Sequence, residues 1–311
     1  MHRWLPWIKR GAVLVFFIVV VSLLVSQARS MDWPAVLAAL KAFPVQPLAL
    51  AAASLALYSC FDLLGRRYTG HTLGSTTVMS VTFVSYVFNL NLGSLVGGAL
   101  FRFRLYSRLG LANGVIARIM TFSLLTNWMG YLLLAGLVFG SVPPTLPDNW
   151  AITSFHLRLI GGLLVGLAAL YLALCGLFNR RSFSVRGHSI NLPSARMAAL
   201  QMVMGAANWM LMSGIIFVLL QQSVSFPTVV SVLLLASIAS VVAHIPAGLG
   251  VLEAVFVALL SSQLAAPVVV AALVAYRVVY YLAPLGVAVA GYAVMEARAD
   301  KLAISSNSSG I

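Results

Sequence analysis

The chain has 311 residues, 61% of them hydrophobic and only 8% charged, whereas an ordinary soluble domain keeps roughly a quarter of its residues charged. That composition excludes a water-soluble globular domain, and the alternating apolar and polar strands of an outer-membrane barrel are absent. A net charge of +13 would suggest nucleic acid in a soluble protein; among long apolar runs it marks arginines held at the cytoplasmic face of a membrane.

Eight apolar elements follow in order. The basic start "MHRWLPWIKR" precedes the first, Gly11–Gln27. Residues 1–30 have the outline of a signal peptide, with Ser26-Gln27-Ala28 as a weak cleavage site. A retained helix fits better, because everything downstream is also embedded. Met31–Phe43, led by Asp32 and Pro34, is too short to span and reads as an interfacial helix. Leu48–Leu64 is the second element and Thr76–Leu95 the third. Ile116–Phe139, Leu157–Phe178 and Met197–Leu220 follow. Thr228–Leu264 is interrupted by "HIPAGLG", and Val268–Met295 is a long helix with a kink expected at Pro284. Residues 301–311 are expected to be a disordered tail. The two cysteines, Cys60 and Cys175, lie within these apolar elements and predict neither a disulfide nor a metal site.

The positive-inside rule then constrains the path. The links "VPPTLPDNW", "QQSVSFP" and "SSQLAAP" carry no basic residue and belong outside. The N-terminus, Arg66–Arg67, the Arg102–Arg118 region, the link bearing Arg180, Arg181, Arg186 and Arg196, and the C-terminal tail belong inside. The third element therefore has both ends inside and the seventh both ends outside. Two re-entrant hairpins satisfy this, leaving six full crossings and both termini in the cytoplasm. Fifteen Lys/Arg then lie inside, Arg29, Lys41 and Arg158 outside, and Arg277 within the membrane. Irregular backbone at membrane depth is tolerated only where protein or a watery cavity covers it. Pro246, Gly248 and Gly250 supply one such turn, and Gly97 and Gly98, closing "FNLNLGSLVGG", are expected at the other. Helix, hairpin and long helix recur in opposite sense, over approximately 46–140 and 197–295. That is the arrangement of an inverted repeat. The fold class is thus an all-α polytopic membrane protein, with residues 1–300 forming a single transmembrane domain.

Charged groups inside a membrane cost about 2.5–3.5 kcal/mol each on an insertion scale, so the few present mark candidate chemistry. Asp62, Arg102, Arg104, Arg118, Glu253 and Arg277 are the candidates, with Asn89 and Asn91 beside them. Arg277 falls about 14 Å into its helix at 1.5 Å per residue. The arginines are expected to bind a phosphate, whose oxygens match guanidinium bidentately, while Asp62 and Glu253 balance them or accept a proton. Two plainer readings stand beside this one: Glu253–Arg277 as a structural ion pair, and Asp62 paired with Arg66 at i+4. His244 reads as a hydrogen-bonding partner, and Tyr280 and Tyr281 as packing or ligand residues. "GGLLVGLAAL" after Ile160 is a small-residue packing face. No metal spacing, paired carboxylates or phosphate loop occurs, so no catalytic residue, metal or cofactor is expected and transport is favoured over bond chemistry.

"YSCFDLLGRRYTGH" (Tyr58–His71), "GGALFRFRLYSRLGL" (Gly97–Leu111), "HIPAGLGVLEAVF" (His244–Phe256) and "YRVVYYLAPL" (Tyr276–Leu285) resemble the transmembrane flippase domain of the lysylphosphatidylglycerol synthase (MprF) family, in particular its stand-alone YbhN-type inner-membrane members. The resemblance covers nearly the whole chain. It implies a bacterial inner-membrane protein handling lipids with anionic or modified headgroups, such as an anionic phospholipid or a polyprenyl phosphate. The family's acidic residue then matches Asp62, its arginine after the glycine pair Arg102 or Arg104, and its turn Pro246, Gly248, Gly250 and Glu253. The full synthases add a soluble aminoacyltransferase domain. This chain ends at Ile311, soon after its last apolar element, and is expected to lack it. The function expected is a lipid translocase; a membrane-embedded lipid-modifying enzyme, a scaffold for lipid-synthesis enzymes and a carrier for a soluble anion are the alternatives.

Overall fold

A computed structural model of the protein describes residues 45–147, 153–178, 182–185, 188–243 and 248–308. The expected first element, the interfacial helix with Arg29 and Lys41, Arg180, Arg181, Arg186, His244 and Pro246 lie outside the described residues.

Helix α1, Val45–Leu64, turns at Cys60 between Val45–Ser59 and Phe61–Leu64. After the short helix Arg66–Thr69, α2 covers Ser75–Leu92. Gly93 stops α2 with φ 83° and ψ 168°, a conformation open in practice only to glycine. The chain then runs back as α3, residues 94–108, a π-helical stretch Ser94–Leu100 leading into Phe101–Arg108. The two arms are in close register: Phe88 stacks on Phe101 with ring centroids 4.1 Å apart, and Arg102 Nε donates to Ser85 Oγ at 3.0 Å. The bend is therefore at Gly93. Gly97 and Gly98, expected at the bend, instead lie in the return arm. A Cβ on Gly97 would overlap the Phe88 carbonyl and one on Gly98 would come 2.9 Å from the Asn89 side chain. Their missing side chains let the arms touch rather than let the chain turn.

Helix α4, Asn113–Ser141, packs against α5, Ser154–Phe178, through glycines. A Cβ on Gly161 would come 2.5 Å from Gly140 N, and one on Gly136 2.8 Å from Val165. This is the small-residue face expected after Ile160. Apolar helices in lipid gain nothing by hiding from water, so close van der Waals approach must hold them. The remaining surface of α5 is oily: Leu159, Leu163 and Leu170 are 57%, 63% and 53% exposed, and only 17% of its apolar window is buried. A small antiparallel hairpin, β1 Ser182–Val185 and β2 His188–Asn191, follows; it is an addition to the all-helical expectation.

Helix α6, Ala195–Leu219, starts at a Ser194 cap that accepts from Met197 N. It crosses α4 where the backbones of Gly130 and Gly205 meet without side chains between them. Helix α7, Phe226–Val242, is capped by Ser225, with a proline in its first turn. The chain returns as α8, Val251–Leu260, which packs along α7. Gly250 enters α8 with φ 79°, and a Cβ on Gly248 would lie 2.7 Å from Ser240 Oγ. The interrupted element is thus a second helical hairpin. The last helix, α9, comprises Ala266–Arg277, a π-helical turn Val278–Leu282 and Ala283–Ser308. The expected disturbance at Pro284 is expressed as the π turn just before it, the widened geometry that a residue without an N–H invites. α9 remains helical through Ser308, into the stretch expected to be tail.

Among the described residues, five helices are long and apolar enough to cross a membrane: α1, α4, α5, α6 and residues 266–297 of α9. The core lies where α1, α2, α6 and α9 converge, around fully buried Phe61, Tyr276, Tyr280 and Ile215, and Phe256 of α8 joins it.

Candidate functional site

The two hairpins and the long helices leave a chamber of about 280 Å³ between them. The first hairpin contributes Tyr86, Asn89 and Ser94; the second contributes Ser237, Ser240, Gly248 and Leu252. Asn127 and Trp128 of α4, Trp209 of α6 and Tyr276 and Tyr281 of α9 add to the wall, with Tyr58 and the apolar Leu90, Leu124, Met212 and Leu233. A larger groove, about 620 Å³, runs between α3 and α4 past Gly98, Arg102, Phe103, Met120 and Thr121. Tyr58, Asn89, Ser94 and Leu124 border both spaces, so groove and chamber adjoin there. Phe103 and Leu124, on the groove rim, are 39% and 58% exposed.

Each hairpin is tied down by an ion pair. In the first, Asp62 is 1% exposed and Arg102 7%. Tyr106 Oη donates to Asp62 Oδ2 at 2.7 Å, while Arg102 Nη1 stands 3.6 Å from Asp62 Oδ1. Arg102 is held on its other side by Ser85. Asp62 thus pairs across to the return arm, and Arg66 instead donates to the Thr72 carbonyl at 3.4 Å. In the second hairpin, Arg277 is 4% exposed. It meets Glu253 through Nε to Oε1 at 2.6 Å and Nη2 to Oε2 at 3.1 Å. Its Nη2 also donates to the Gly248 carbonyl at 3.2 Å, and Gly250 N donates to Glu253 Oε2 at 3.0 Å. One carboxylate therefore caps α8 and fixes the turn to α9 together. Arg277 also sits over the Tyr281 ring, 5.6 Å from its centroid.

The candidate residues thus separate. Asp62 and Arg102 come together, and Arg102 is the one candidate arginine on the groove wall. Glu253 and Arg277 come together behind the chamber, sharing Gly248 with its lining. Arg104 is drawn elsewhere: it and Arg108 approach Glu296 of α9 at 2.7 and 2.8 Å. Arg118 is exposed on α4, and its neighbours Ala117, Met120 and Thr121 face the groove instead. Asn89 lines both spaces. Asn91 is occupied with backbone, donating to Val87 O at 2.9 Å and to Tyr281 O at 3.1 Å in the π turn.

Of the uncharged groups, sequence reasoning named Asn89, Asn91, Tyr280 and Tyr281 but missed Ser54, Tyr58, Tyr86 and Asn208. Ser54 Oγ donates to Asn208 Oδ1 at 2.8 Å and is 2.8 Å from Tyr280 Oη, which is 3.0 Å from Tyr86 Oη. This chain ties α1, α6, α9 and the first hairpin together beside the chamber. Tyr58 stacks on Tyr86 at 3.4 Å. Hydroxyl, amide and aromatic residues on apolar helices carry no periodic signal of their own. Glu296 did have one: it is among only six acidic residues in the chain, and such scarcity asks what each neutralises.

Fold and site together define a multi-pass helical membrane protein in which two helical hairpins and the long helices line a chamber of mixed polar and apolar character. The chain belongs to the family described as the lysylphosphatidylglycerol synthase TM region, which matches residues 11–288. It is 44% identical over 299 residues to the inner membrane protein YbhN of Escherichia coli strain K12, covering 94% of each chain. It is 33% identical over 229 residues to the uncharacterized protein slr0712 of Synechocystis, covering 73% of this chain and 71% of that one.

Proposed function

We propose that this protein is a lipid translocase of the bacterial inner membrane, moving an anionic or modified phospholipid, or a polyprenyl phosphate, headgroup first through the groove and chamber. The observation that carries this reading is the groove between α3 and α4. It has a buried arginine on its wall, an exposed apolar rim, and Tyr58, Asn89, Ser94 and Leu124 in common with the chamber. A lipid needs that combination: a polar path for the headgroup and an oily flank for the acyl chains. A carrier for a soluble anion would instead favour a space sealed from the lipid phase. Arg102 meets the phosphate as a guanidinium donor. The carboxylates balance the arginines and tether the hairpins.

In this reading both hairpins are re-entrant and both termini are cytoplasmic. The halves form an inverted repeat. The packing supports that relation: α1 lies on α9 as α6 lies on α4, and α2 contacts α9 as α7 contacts α4. The inner-membrane location follows the E. coli relative. Purified protein is reconstituted in vesicles carrying headgroup-labelled phospholipids or a labelled polyprenyl phosphate in one leaflet. Movement to the other leaflet faster than in empty vesicles is expected. Absence of movement for every lipid, with folded protein, defeats the proposal; a chemically altered lipid recovered from the vesicles replaces it with an enzyme.

A further inference from the structure

The groove and the chamber differ in chemistry. The groove presents a charge at Arg102, whereas no Asp, Glu, Lys or Arg lines the chamber among the described residues. What lines it instead is uncharged: apolar surface from Leu90, Leu124, Met212, Leu233 and Leu252, interspersed with hydrogen-bonding groups. Ser237 and Ser240 each donate to a helix carbonyl at 2.7 Å, which leaves their oxygens free to accept. Asn89 and Asn127 add amide donors and acceptors. Trp128 and Trp209 supply flat faces at the same wall. A space of about 280 Å³ gives room for a compact polyhydroxyl group.

We infer that the chamber receives a neutral polyhydroxyl headgroup, a glycerol or a sugar, while Arg102 in the groove holds the phosphodiester that joins it to the lipid. This deepens the translocase reading and rests on it. Hydroxyls both donate and accept, so they satisfy Ser237, Ser240 and Asn127 together, and the nonpolar faces of a polyol lie against indole. A bare phosphate finds no cation in the chamber. An ammonium headgroup finds no carboxylate there, and it stands near Arg277, which contacts Gly248 on the chamber wall.

The test measures binding of short-chain lipids to the purified full-length protein in detergent, followed by tryptophan fluorescence. The panel is dihexanoyl phosphatidylglycerol, phosphatidylinositol, phosphatidic acid and phosphatidylethanolamine. Phosphatidylglycerol and phosphatidylinositol are expected to bind at least tenfold tighter than the other two, and whichever of the two is tighter tells glycerol from sugar. Trp209→Phe and Ser240→Ala should erase that tenfold preference and leave phosphatidic acid affinity unchanged, while Arg102→Gln weakens all four lipids alike. Equal affinity across the panel on the unmodified protein, or preference for phosphatidylethanolamine, overturns the inference and leaves the translocase reading standing. No binding by any lipid overturns both.

Discussion

Breaking the Glu253–Arg277 pair from one side should cost far more than removing it whole. In Arg277→Gln the Glu253 carboxylate keeps the Gly250 N–H but loses both guanidinium contacts, at 2.6 and 3.1 Å. The Gly248 carbonyl loses its donor as well. Removing one partner of a buried pair costs about 3–5 kcal/mol. The Glu253 side chain is 22% exposed, so water offsets part of the loss and the lower end, about 3 kcal/mol, applies. At roughly 2 °C per kcal/mol for a chain of this size, the melting temperature should fall by about 6 °C. The double variant Glu253→Gln, Arg277→Gln keeps amides able to meet one another and Gly248, and should recover most of that loss. A double-mutant cycle read by thermal unfolding in detergent measures the coupling. If the two single losses simply add in the double variant, the pair does not act as a unit and the tether is misassigned.

Four further outcomes follow from the geometry. Arg102→Lys keeps the charge but cannot reach Ser85 and the groove together, so lipid movement in vesicles should drop at least tenfold with little change in melting temperature; unchanged movement removes Arg102 from the path. Gly93→Ala forces a side chain into a glycine-only conformation and should cost about 1–3 kcal/mol, seen as a lowered melting temperature, whereas Gly70→Ala makes a fair control at a left-handed position with open space around it. Gly130→Leu places a side chain between the touching backbones of α4 and α6 and should abolish the monodisperse peak on size exclusion. His71, in the loop after Thr69, is 6% exposed with neither ring nitrogen bonded; burial, with Arg66 adding to it, holds its imidazole below the usual histidine range despite the opposing pull of Asp62. The unfolded chain then binds the proton first, so stability is full above about pH 6.5 and declines as pH falls through the lower folded value; His71→Phe should flatten melting curves between pH 7.5 and 5.5 (about one unit either side of that value).

What the sequence made legible was set by energetics. Long apolar runs fix the spanning helices because hydrocarbon tolerates little else, and α1, α4, α5, α6 and α9 lie close to where hydropathy places them. Charge at the links pointed to two hairpins; α2 doubles back into α3 and α7 into α8, the first return arm lying beyond the Thr76–Leu95 element in which it was expected. The bend of the first was misplaced for a physical reason. Glycine serves either a positive φ or a close contact, and sequence does not say which: Gly93 turns, while Gly97 and Gly98 pack. Pairing was half legible. Asp62, Glu253 and Arg277 stood out by their cost, but Asp62 chooses Arg102 over its helical neighbour Arg66 because the return arm of the hairpin brings Arg102 and Tyr106 to it. The chamber lining was hidden, because Ser237, Asn127 and Trp209 are ordinary residues until three helices place them together.

The two tethers are chemically alike but mechanically unequal, and that difference assigns them different work. A helical arm as short as α8 is marginal alone, so each return arm needs an anchor beyond its apolar contacts. Glu253 and Arg277 form a closed bidentate contact and share a turn carbonyl and a cap, so every part of that pair is committed to the fold. Arg102 is different. It stands 3.6 Å from Asp62 and on a groove wall, longer than the 2.7–2.9 Å of a closed charge-assisted hydrogen bond. A phosphate arriving in the groove can therefore gain a guanidinium contact that the protein has not fully used, with Tyr106 still satisfying the carboxylate left behind. Ligand binding then loosens the anchor of the first hairpin and leaves the second rigid. Movement in the cycle should accordingly concentrate in α2 and α3. Hydrogen exchange on lipid addition should rise in 94–108 and stay flat in 251–260; a rise confined to the second hairpin would reverse the assignment of the moving half.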